Sequence, residues 1–277
     1  MNLLGIDFED WFHPQLIQKN LNDEKKEPTV INGIDKILNW LNKNETTATF
    51  FVVGELLEYR PEIMDKILSN GHEIGFHTMY HTNLETYGFR ERFDDEIKLF
   101  NKITNGKSKG FRAPTFSLNK STSWAIKILK ENNYVYDSSI MPVKTNMYGV
   151  SNALKKPYKI SKEDIENEDP MGKIIEFPLL TTNFLGKKIP AAGGFYLRIL
   201  PQKVIENAIK KNQQNEIPST LYIHSWELTP EYMKKIPLSK KDSFITYHNL
   251  EKALTKMDKI IKKFEFSSFE NYLKNKR

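Results

Sequence analysis

Two histidines four residues apart are the side chains in this sequence best suited to chemistry. They are His77 and His81, within Gly71–Leu84, GHEIGFHTMYHTNL. Residues i and i+4 of a helical turn share a face, and two imidazoles placed in this way can bind one cation such as zinc. A catalytic zinc usually has three protein ligands and one open position. We therefore expect a carboxylate from elsewhere in the chain to complete the site.

The spacing of the two histidines is weak evidence for a metal site by itself, because such pairs more often lie on the protein surface or pack against other side chains. Its context strengthens it. The residues HEIG before the pair have the pattern of a short strand, which would place His77 at a strand's carboxyl end. Parallel α/β sheets carry their catalytic residues at that end of the strands.

Composition limits the class of protein. The chain has 277 residues, 39% of them hydrophobic, and no cysteine, so disulfides and thiolate ligands are excluded. The net charge of +6 is mild, and its lysines are spaced along amphipathic helices, which favours a solvated surface over attraction to an anionic substrate or a membrane surface. We expect no nucleic-acid partner. The N-terminus has no signal-peptide pattern, and no apolar run is long enough to span a membrane. These features predict a cytoplasmic protein with no stable membrane insertion, and they leave its oligomeric state open.

Strand and helix patterns alternate along most of the chain, which favours a parallel sheet, open or closed into a barrel. The predicted strands are Leu3–Phe8, Thr46–Val53, HEIG, Tyr134–Asp137, Ile174–Leu180 and Thr220–His224. A loop is predicted at Gly193–Tyr196. We expect residues 1–277 to form one domain, with an irregular excursion at about 143–173.

The polar residues that could take part in catalysis or metal binding follow the predicted strand ends, where a barrel would bring them to one rim. They are Asp7, Glu9, Asp10, His77, His81, Arg112, Asp137 and His224. Asp137 either orients His224 or caps a turn with Ser138 and Ser139, and we favour the cap.

Six motifs in order resemble the polysaccharide deacetylases of carbohydrate esterase family 4, the NodB-homology family. They are DFEDWF, TFFVVGE, GHEIGFHTMYH, GFRAP, YDSSIMP and LYIHSW, and the resemblance is closest to a subgroup with a D-x-E-D-W/Y-F start. It covers the chain from about Leu3 to Phe269. It implies a distorted (β/α)7-type barrel, a divalent metal that is usually zinc, and removal of N-acetyl groups from an amino sugar in a polysaccharide or glycan precursor.

The resemblance also implies roles for individual residues. His77 and His81 match the metal-binding histidines, Arg112 the arginine that orients the base, and His224 the general acid. Two alignments of the first motif remain open. One makes Asp7 the base, with either Glu9 or Asp10 on the metal. The other makes Glu9 the base and Asp10 the ligand. We favour Asp7 as base and expect one of the two downstream acids to bind the metal.

The substrate-binding candidates are Tyr80, Pro114, Phe195 and Trp226. Phe195 is as consistent with core packing as with a sugar contact, whereas the position of Trp226 next to His224 favours function. A backbone N–H near Met79 or Tyr80 is the candidate for oxyanion stabilisation.

Two other functions are alternatives to N-deacetylation. The same scaffold supports deformylation and cyclic-amide hydrolysis of the allantoinase type, which formate or acetate release would distinguish. A non-catalytic carbohydrate-binding protein is the other alternative. The sequence argues against it, because the acids, both histidines, Arg112 and His224 are all present.

Overall fold

A curled parallel sheet lies at the centre of the computed structural model, which describes residues 1–21 and 25–276. In chain order the strands are β1 (Asn2–Phe8), β2 (Thr49–Val52), β3 (Glu73–Phe76), β4 (Gly110–Phe111), β5 (Tyr136–Asp137), β6 (Tyr158–Ile160), β7 (Ile174–Glu176), β8 (Thr181–Phe184), β9 (Lys187–Pro190), β10 (Thr220–His224) and β11 (Phe266–Ser267).

Helices connect most of these strands. They are α1 (Gln15–Gln18), α2 (Ile34–Lys43), α3 (Gly54–Tyr59), α4 (Glu62–Ser69), α5 (Phe89–Ile103), α6 (Trp124–Glu131), α7 (Gly194–Ile199), α8 (Gln202–Gln214), α9 (Ser225–Leu228), α10 (Lys240–Tyr247), α11 (Leu250–Ile261) and α12 (Phe269–Asn275). Short 3-10 turns lie at Val30–Gly33, Pro114–Phe116, Lys120–Thr122 and Pro230–Tyr232. No helix of the described chain has the length and apolar character needed to cross a bilayer.

The strand order is β10-β1-β2-β3-β4-β5-β7-β6, and β11 also pairs with β1. The pairs from β10 to β7 are all parallel, and β6 is antiparallel to β7. Beyond β7, single parallel bridges join Leu179 to Thr220 and Gly193 to Tyr222, so the sheet curls back towards β10. The prediction of an α/β fold of the distorted-barrel type is confirmed.

The core follows from the hydrophobic pattern. All seven residues of β1 are buried, as expected of a strand covered on both faces. Helix α2 buries Ile34, Ile37, Leu38 and Leu41, a spacing that places one apolar stripe against the sheet. These elements fix the height at which each strand ends, and therefore where the polar residues after them lie.

Two regions differ from the prediction. Gly193–Tyr196 is not simply a loop, because α7 begins at Gly194. A Cβ on Gly193 would lie 1.8 Å from the carbonyl oxygen of Tyr222, so glycine allows the chain to pass against β10 before the helix starts. The excursion at about 143–173 contains β6 and buries Val150 and Ile165. Its short segments lack the periodicity by which a strand is recognised in sequence.

Candidate active site

The carboxyl ends of four strands place the candidate residues together. Asp7 lies opposite His224 in the register of β1 and β10. His77 and Arg112 each directly follow a paired residue, because Phe76 of β3 lies opposite Phe111 of β4. A parallel sheet brings these ends to one edge. The expected convergence of residues distant in sequence is therefore present in the structure.

Glu9, His77 and His81 form a compact buried group. One candidate ligand atom from each lies within 4.8 Å of the others. The Nε2 atom of His81 is 2.7 Å from Oε2 of Glu9, yet the angles are not those of a hydrogen bond, and Oε2 has no hydrogen-bond partner. An unsatisfied buried carboxylate oxygen is costly. A cation shared with the imidazoles would satisfy it, and two nitrogens with one oxygen suit zinc or a similar divalent metal.

The orientation of His77 also suits a metal ligand. Its Nδ1 lies 2.6 Å from the backbone carbonyl oxygen of Arg112, to which an Nδ1–H donates. This bond leaves Nε2 without a proton and available for coordination, which is the usual arrangement of a metal-binding histidine. Burial lowers the pKa of His77 to about 4, against smaller opposing effects of Asp7 and Glu9, so the ring is neutral near pH 7.

The two histidines do not lie on a helical turn, so that part of the prediction is wrong. The segment between them is a loop in which Thr78 has φ 60° and His81 has φ 54°. The loop is held from both sides: Gly54 N donates to the carbonyl of Thr78, and Met79 N donates to Oε2 of Glu96 at 2.9 Å. The N–H of Met79, a candidate for oxyanion stabilisation, is therefore already bonded within the protein.

Asp10 lies apart from the imidazoles. Its Oδ1 accepts hydrogen bonds from the backbone N–H groups of Trp11 and Thr29, at 2.9 and 3.0 Å, and its Oδ2 accepts one from Ile31 at 3.1 Å. The carboxylate of Asp10 therefore joins the end of β1 to the 3-10 turn at Val30–Gly33. Of the two acids considered as ligands, Glu9 is the one whose carboxylate reaches the histidines.

Asp7 is paired with Arg112 in the floor of the site. Nη1 of Arg112 donates to Oδ1 of Asp7 at 2.7 Å, and both side chains are almost fully buried. The guanidinium is itself oriented by Ser138, whose carbonyl and hydroxyl accept from Nε at 2.9 Å and from Nη2 at 2.8 Å. Glycine at position 5 makes room for it, because a Cβ there would lie 2.5 Å from Nη1.

His224 is oriented by Glu227, which the sequence analysis did not identify. Nδ1 of His224 lies 2.7 Å from Oε2 of Glu227, and Nε2 lies 3.9 Å from Oε1 of Glu9. The same Glu227 oxygen accepts the backbone N–H of His224, the capping-box relation that a glutamate three residues after an N-cap can form. That spacing in HSWE is the signal that could have identified it. Asp137 instead accepts from Ser139, as favoured.

Opposing charges set the ionisation of this part of the site. Burial alone would lower the pKa of His224, but the negative charges of Glu227 and Glu9 outweigh it and raise the pKa to about 9. Burial would raise the pKa of Glu9, but the charges of His81, His224 and His77 hold it well below its usual range. The ring of His224 thus carries a proton and faces an ionised carboxylate.

Aromatic side chains form the walls of the cleft above these groups. Phe195 and Trp226 line it, together with Phe116, Tyr148, Tyr222 and Ile245, which the sequence analysis did not single out. Trp226 has a second contact, because its indole Nε1 donates to Oε1 of Glu9 at 2.8 Å. Its ring also stacks on His224, with centroids 4.5 Å apart.

Two predicted substrate contacts lie elsewhere. Tyr80 is 47% exposed and borders a separate depression with Phe12 and Tyr59, and it is not among the residues that line the cleft. Pro114 is buried and is not among the residues that line the cleft, although Ala113 and Thr115 on either side of it are. Neither residue meets the cleft, since neighbours in a turn point in different directions.

Comparison with known families divides the chain into two matched segments. Residues 29–136 match the model of the polysaccharide deacetylase family, and residues 138–274 match a domain of unknown function, DUF3473. The first segment contains His77, His81 and Arg112. His224 and Glu227 lie in the second, and Asp7 and Glu9 precede both.

Curated relatives match a short part of the chain. The peptidoglycan-N-acetylglucosamine deacetylase of Bacillus cereus is 37% identical over 82 residues, 28% of this chain and 30% of that protein. The peptidoglycan-N-acetylmuramic acid deacetylase of Bacillus subtilis is 33% identical over 83 residues, 28% of this chain and 31% of the relative. The matched segments thus span about a third of the length of these relatives.

A solved structure matches over almost the whole chain. A Mycobacterium smegmatis protein described as a polysaccharide deacetylase superposes with a TM-score of 0.57 at 16% identity, covering 99% of this chain and 90% of that one. This likeness shows that the curled sheet has the NodB-like fold. Residues 29–136 are thus similar in sequence to the polysaccharide deacetylase family, and the chain as a whole has the NodB-like fold.

Proposed function

We propose that this protein is a metal-dependent hydrolase that removes N-acetyl groups from an amino sugar in a polysaccharide or glycan precursor. One observation carries the proposal. A candidate metal-binding group, Glu9 with the two histidines, shares one cleft with a carboxylate held by Arg112 and a protonated imidazole held by Glu227. Amide hydrolysis needs a base for water and an acid for the departing amine, and both are present.

Glu9, His77 and His81 would hold the metal, for which zinc fits the donor set best. When bound, a divalent cation of this kind polarises a carbonyl group and lowers the pKa of water from 15.7 to about 7. The family alignment that makes Asp7 the base is the one supported by this geometry. In the other alignment Asp10 would be the ligand, and its oxygens are already bonded to backbone N–H groups.

Asp7 is suited to accept the proton of the attacking water. Its Oδ1 is held by Arg112, so the carboxylate cannot turn away from the cleft that it lines. General base help of this kind contributes about 10²–10⁴-fold in rate.

His224 is suited to protonate the leaving nitrogen. Its Nδ1–H donates to Glu227, so Nε2–H faces the cleft, where the side chain is 19% exposed. As the amide C–N bond breaks, the Nε2 proton passes to the amine nitrogen, which would otherwise leave as an unstable anion. The products are acetate and the free amino sugar.

The cleft walls suit a sugar that carries an acetyl methyl. Phe195 and Trp226 present aromatic surface beside the acid, and two relatives are named as deacetylases of different peptidoglycan sugars. We infer that an N-acetylated hexosamine is the unit recognised. We also infer a single deacetylase domain, because β1 near one end of the chain pairs with both β10 and β11 near the other.

The experiment is a comparison of acetate and formate release from N-acetylated and N-formylated glucosamine oligomers, with zinc added and with chelator. We expect acetate release that depends on metal and is lost in His77→Ala and His81→Ala. Formate release without acetate release would favour the deformylase alternative. Oligomer binding without either product in the zinc-loaded protein would favour a carbohydrate-binding protein.

A further inference from the structure

We propose that Glu227 and Arg198 are positioning residues for His224, and that Arg198 links the orientation of this ring to helix α10, which forms one wall of the cleft. The inference rests on the proposed function, in which His224 donates a proton to the leaving amine. It concerns residues that do not themselves contact the reacting atoms.

Glu227 divides its two oxygens between two partners. Oε2 accepts from Nδ1 of His224 at 2.7 Å, and Oε1 accepts from Nε of Arg198 at 2.7 Å. The side chain of Glu227 is 0% exposed. A buried carboxylate with both oxygens bonded in this way is held in place, so it holds the ring of His224 in one orientation, with Nδ1–H on Glu227 and Nε2–H towards the cleft.

Arg198 has a donor for each of three partners. Besides Nε on Glu227, Nη1 donates to the carbonyl of His248 and Nη2 to that of Ile245, both at 2.6 Å. Its side chain is 1% exposed. The rigid fork of a guanidinium can meet three acceptors at fixed angles, whereas a lysine ammonium is a single point charge.

These carbonyls lie at the end of α10. Ile245 and Thr246 of that helix line the cleft, as do Ala113 and Phe116. On the other side, Nζ of Lys256 donates to the carbonyls of Leu197 and Arg198 at 3.1 and 3.0 Å, which fixes the backbone of Arg198. A displacement of α10 would therefore pull on the guanidinium, and through it on the carboxylate that holds His224.

The consequence is that the cleft wall and the proton donor are set by one network of hydrogen bonds. A substrate that presses against Ile245 and Thr246 contacts the same helix end that Arg198 holds. The residues from 138 to 274 thus contribute more than the acid itself, because they also contain the two side chains that orient it.

The kinetic test exploits leaving groups of different basicity. A sugar amine needs a proton to depart, whereas p-nitrophenolate does not. In Glu227→Gln we expect kcat for acetate release from N-acetylglucosamine oligomers to fall by about 10²–10³-fold, with KM within about threefold and p-nitrophenyl acetate hydrolysis within about fivefold. Arg198→Lys, which keeps the charge but not the fork, should lose about tenfold on the amide alone.

A double-mutant cycle and a matched control complete the kinetic test. Adding Glu227→Gln to His224→Ala should cause no further loss of kcat, because Glu227 acts through the imidazole of His224, which the first substitution has removed. Glu206→Gln removes a carboxylate of α8 that pairs with Lys263 and does not line the cleft, and it should leave the hydrolysis of both substrates unaffected. Equal losses on amide and ester, or additive losses in the double variant, would overturn the proposal.

A readout without catalysis separates this inference from the proposed function. The chain has six histidines, so the ring N–H resonances of ¹⁵N-histidine-labelled protein can be assigned with His224→Ala. We expect a strongly hydrogen-bonded Nδ1–H signal that is lost in Glu227→Gln and kept in Glu206→Gln. If this signal behaves so while no acetate is released, the function is wrong and the positioning stands. A spectrum unchanged by Glu227→Gln refutes the positioning.

Discussion

The indole N–H of Trp226 donates to Oε1 of Glu9 across 2.8 Å. This bond joins the end of β1 to the first turn after β10, which are 217 positions apart in sequence. It leaves Oε2 of Glu9 facing the histidines, so a residue predicted to contact sugar also orients a candidate metal ligand. Such outer hydrogen bonds set the direction and basicity of the ligand they hold.

Replacement of Trp226 by phenylalanine should weaken metal binding. Phenylalanine keeps the aromatic wall but removes the N–H, so Glu9 is free to rotate, and we expect zinc affinity to fall by about 10–100-fold. Titration calorimetry measures the change. Trp40→Phe is the matched control, because it removes an indole bond to the carboxylate of Asp258 and should leave zinc affinity intact. Equal affinity in the two variants would contradict the role of Trp226.

The adjacent acids Glu9 and Asp10 should respond differently to neutralisation. Glu9→Gln removes the charge beside the imidazoles and should abolish zinc retention on gel filtration, as measured by elemental analysis. Asp10→Asn should retain zinc but lose about 1–3 kcal/mol of unfolding free energy. In the variant an amide nitrogen would face the backbone N–H of Ile31, which donates to Oδ2 of Asp10 in the parent protein. Loss of zinc in Asp10→Asn with retention in Glu9→Gln would reverse the assignment.

Removing Arg112 alone should destabilise the protein more than removing the charges of both Arg112 and Asp7. Arg112→Met leaves a buried carboxylate unpaired, and we expect a loss of about 3–5 kcal/mol in unfolding free energy by urea denaturation. The double variant Asp7→Asn with Arg112→Met removes that charge, so it should be more stable than Arg112→Met, although equally inactive. A double variant that is less stable than Arg112→Met would show that the unpaired carboxylate of Asp7 is not the cause of the instability of the single variant.

Glu73 should give the protein a pH-dependent stability that is unrelated to catalysis. Burial raises its pKa to about 7, despite hydrogen bonds from Thr49 and Tyr136, whereas the unfolded chain has the ordinary value of 4.5. Between these pH values the folded state retains a proton that the unfolded state has lost, so this group's contribution to stability falls as pH rises and is constant above about 7.

Glu73→Gln should remove this dependence. The difference in unfolding free energy between the variant and the parent protein should shift in favour of the variant by about 3 kcal/mol from pH 4.5 to pH 8. Urea denaturation across that range measures the shift. Glu265→Gln, at an exposed position just before β11, is a control that should show no such shift. A constant difference for Glu73→Gln would mean that the carboxyl ionises normally in the folded protein.

Local sequence patterns determined the parts of this protein that depend on neighbours along the chain. The buried runs that became β1, β2 and β10 were recognisable because a strand covered on both faces has almost no polar residue. The carboxyl ends of the predicted strands were therefore recognisable, and with them the approach of Asp7, His77, Arg112 and His224 to one edge of the sheet.

Tertiary structure decided which partner each of these side chains has. Glu9 and Asp10 are adjacent acids, and only the passage of Thr29 and Ile31 past the end of β1 supplies the N–H groups that occupy Asp10. Tyr80 directly precedes His81 yet faces away from it, because backbone dihedrals in the loop set its direction. The link from His224 to Arg198 likewise depends on the folding of α7 against α9 and α10. Period and composition indicate which face of an element is buried, but a contact between distant elements depends on how they pack.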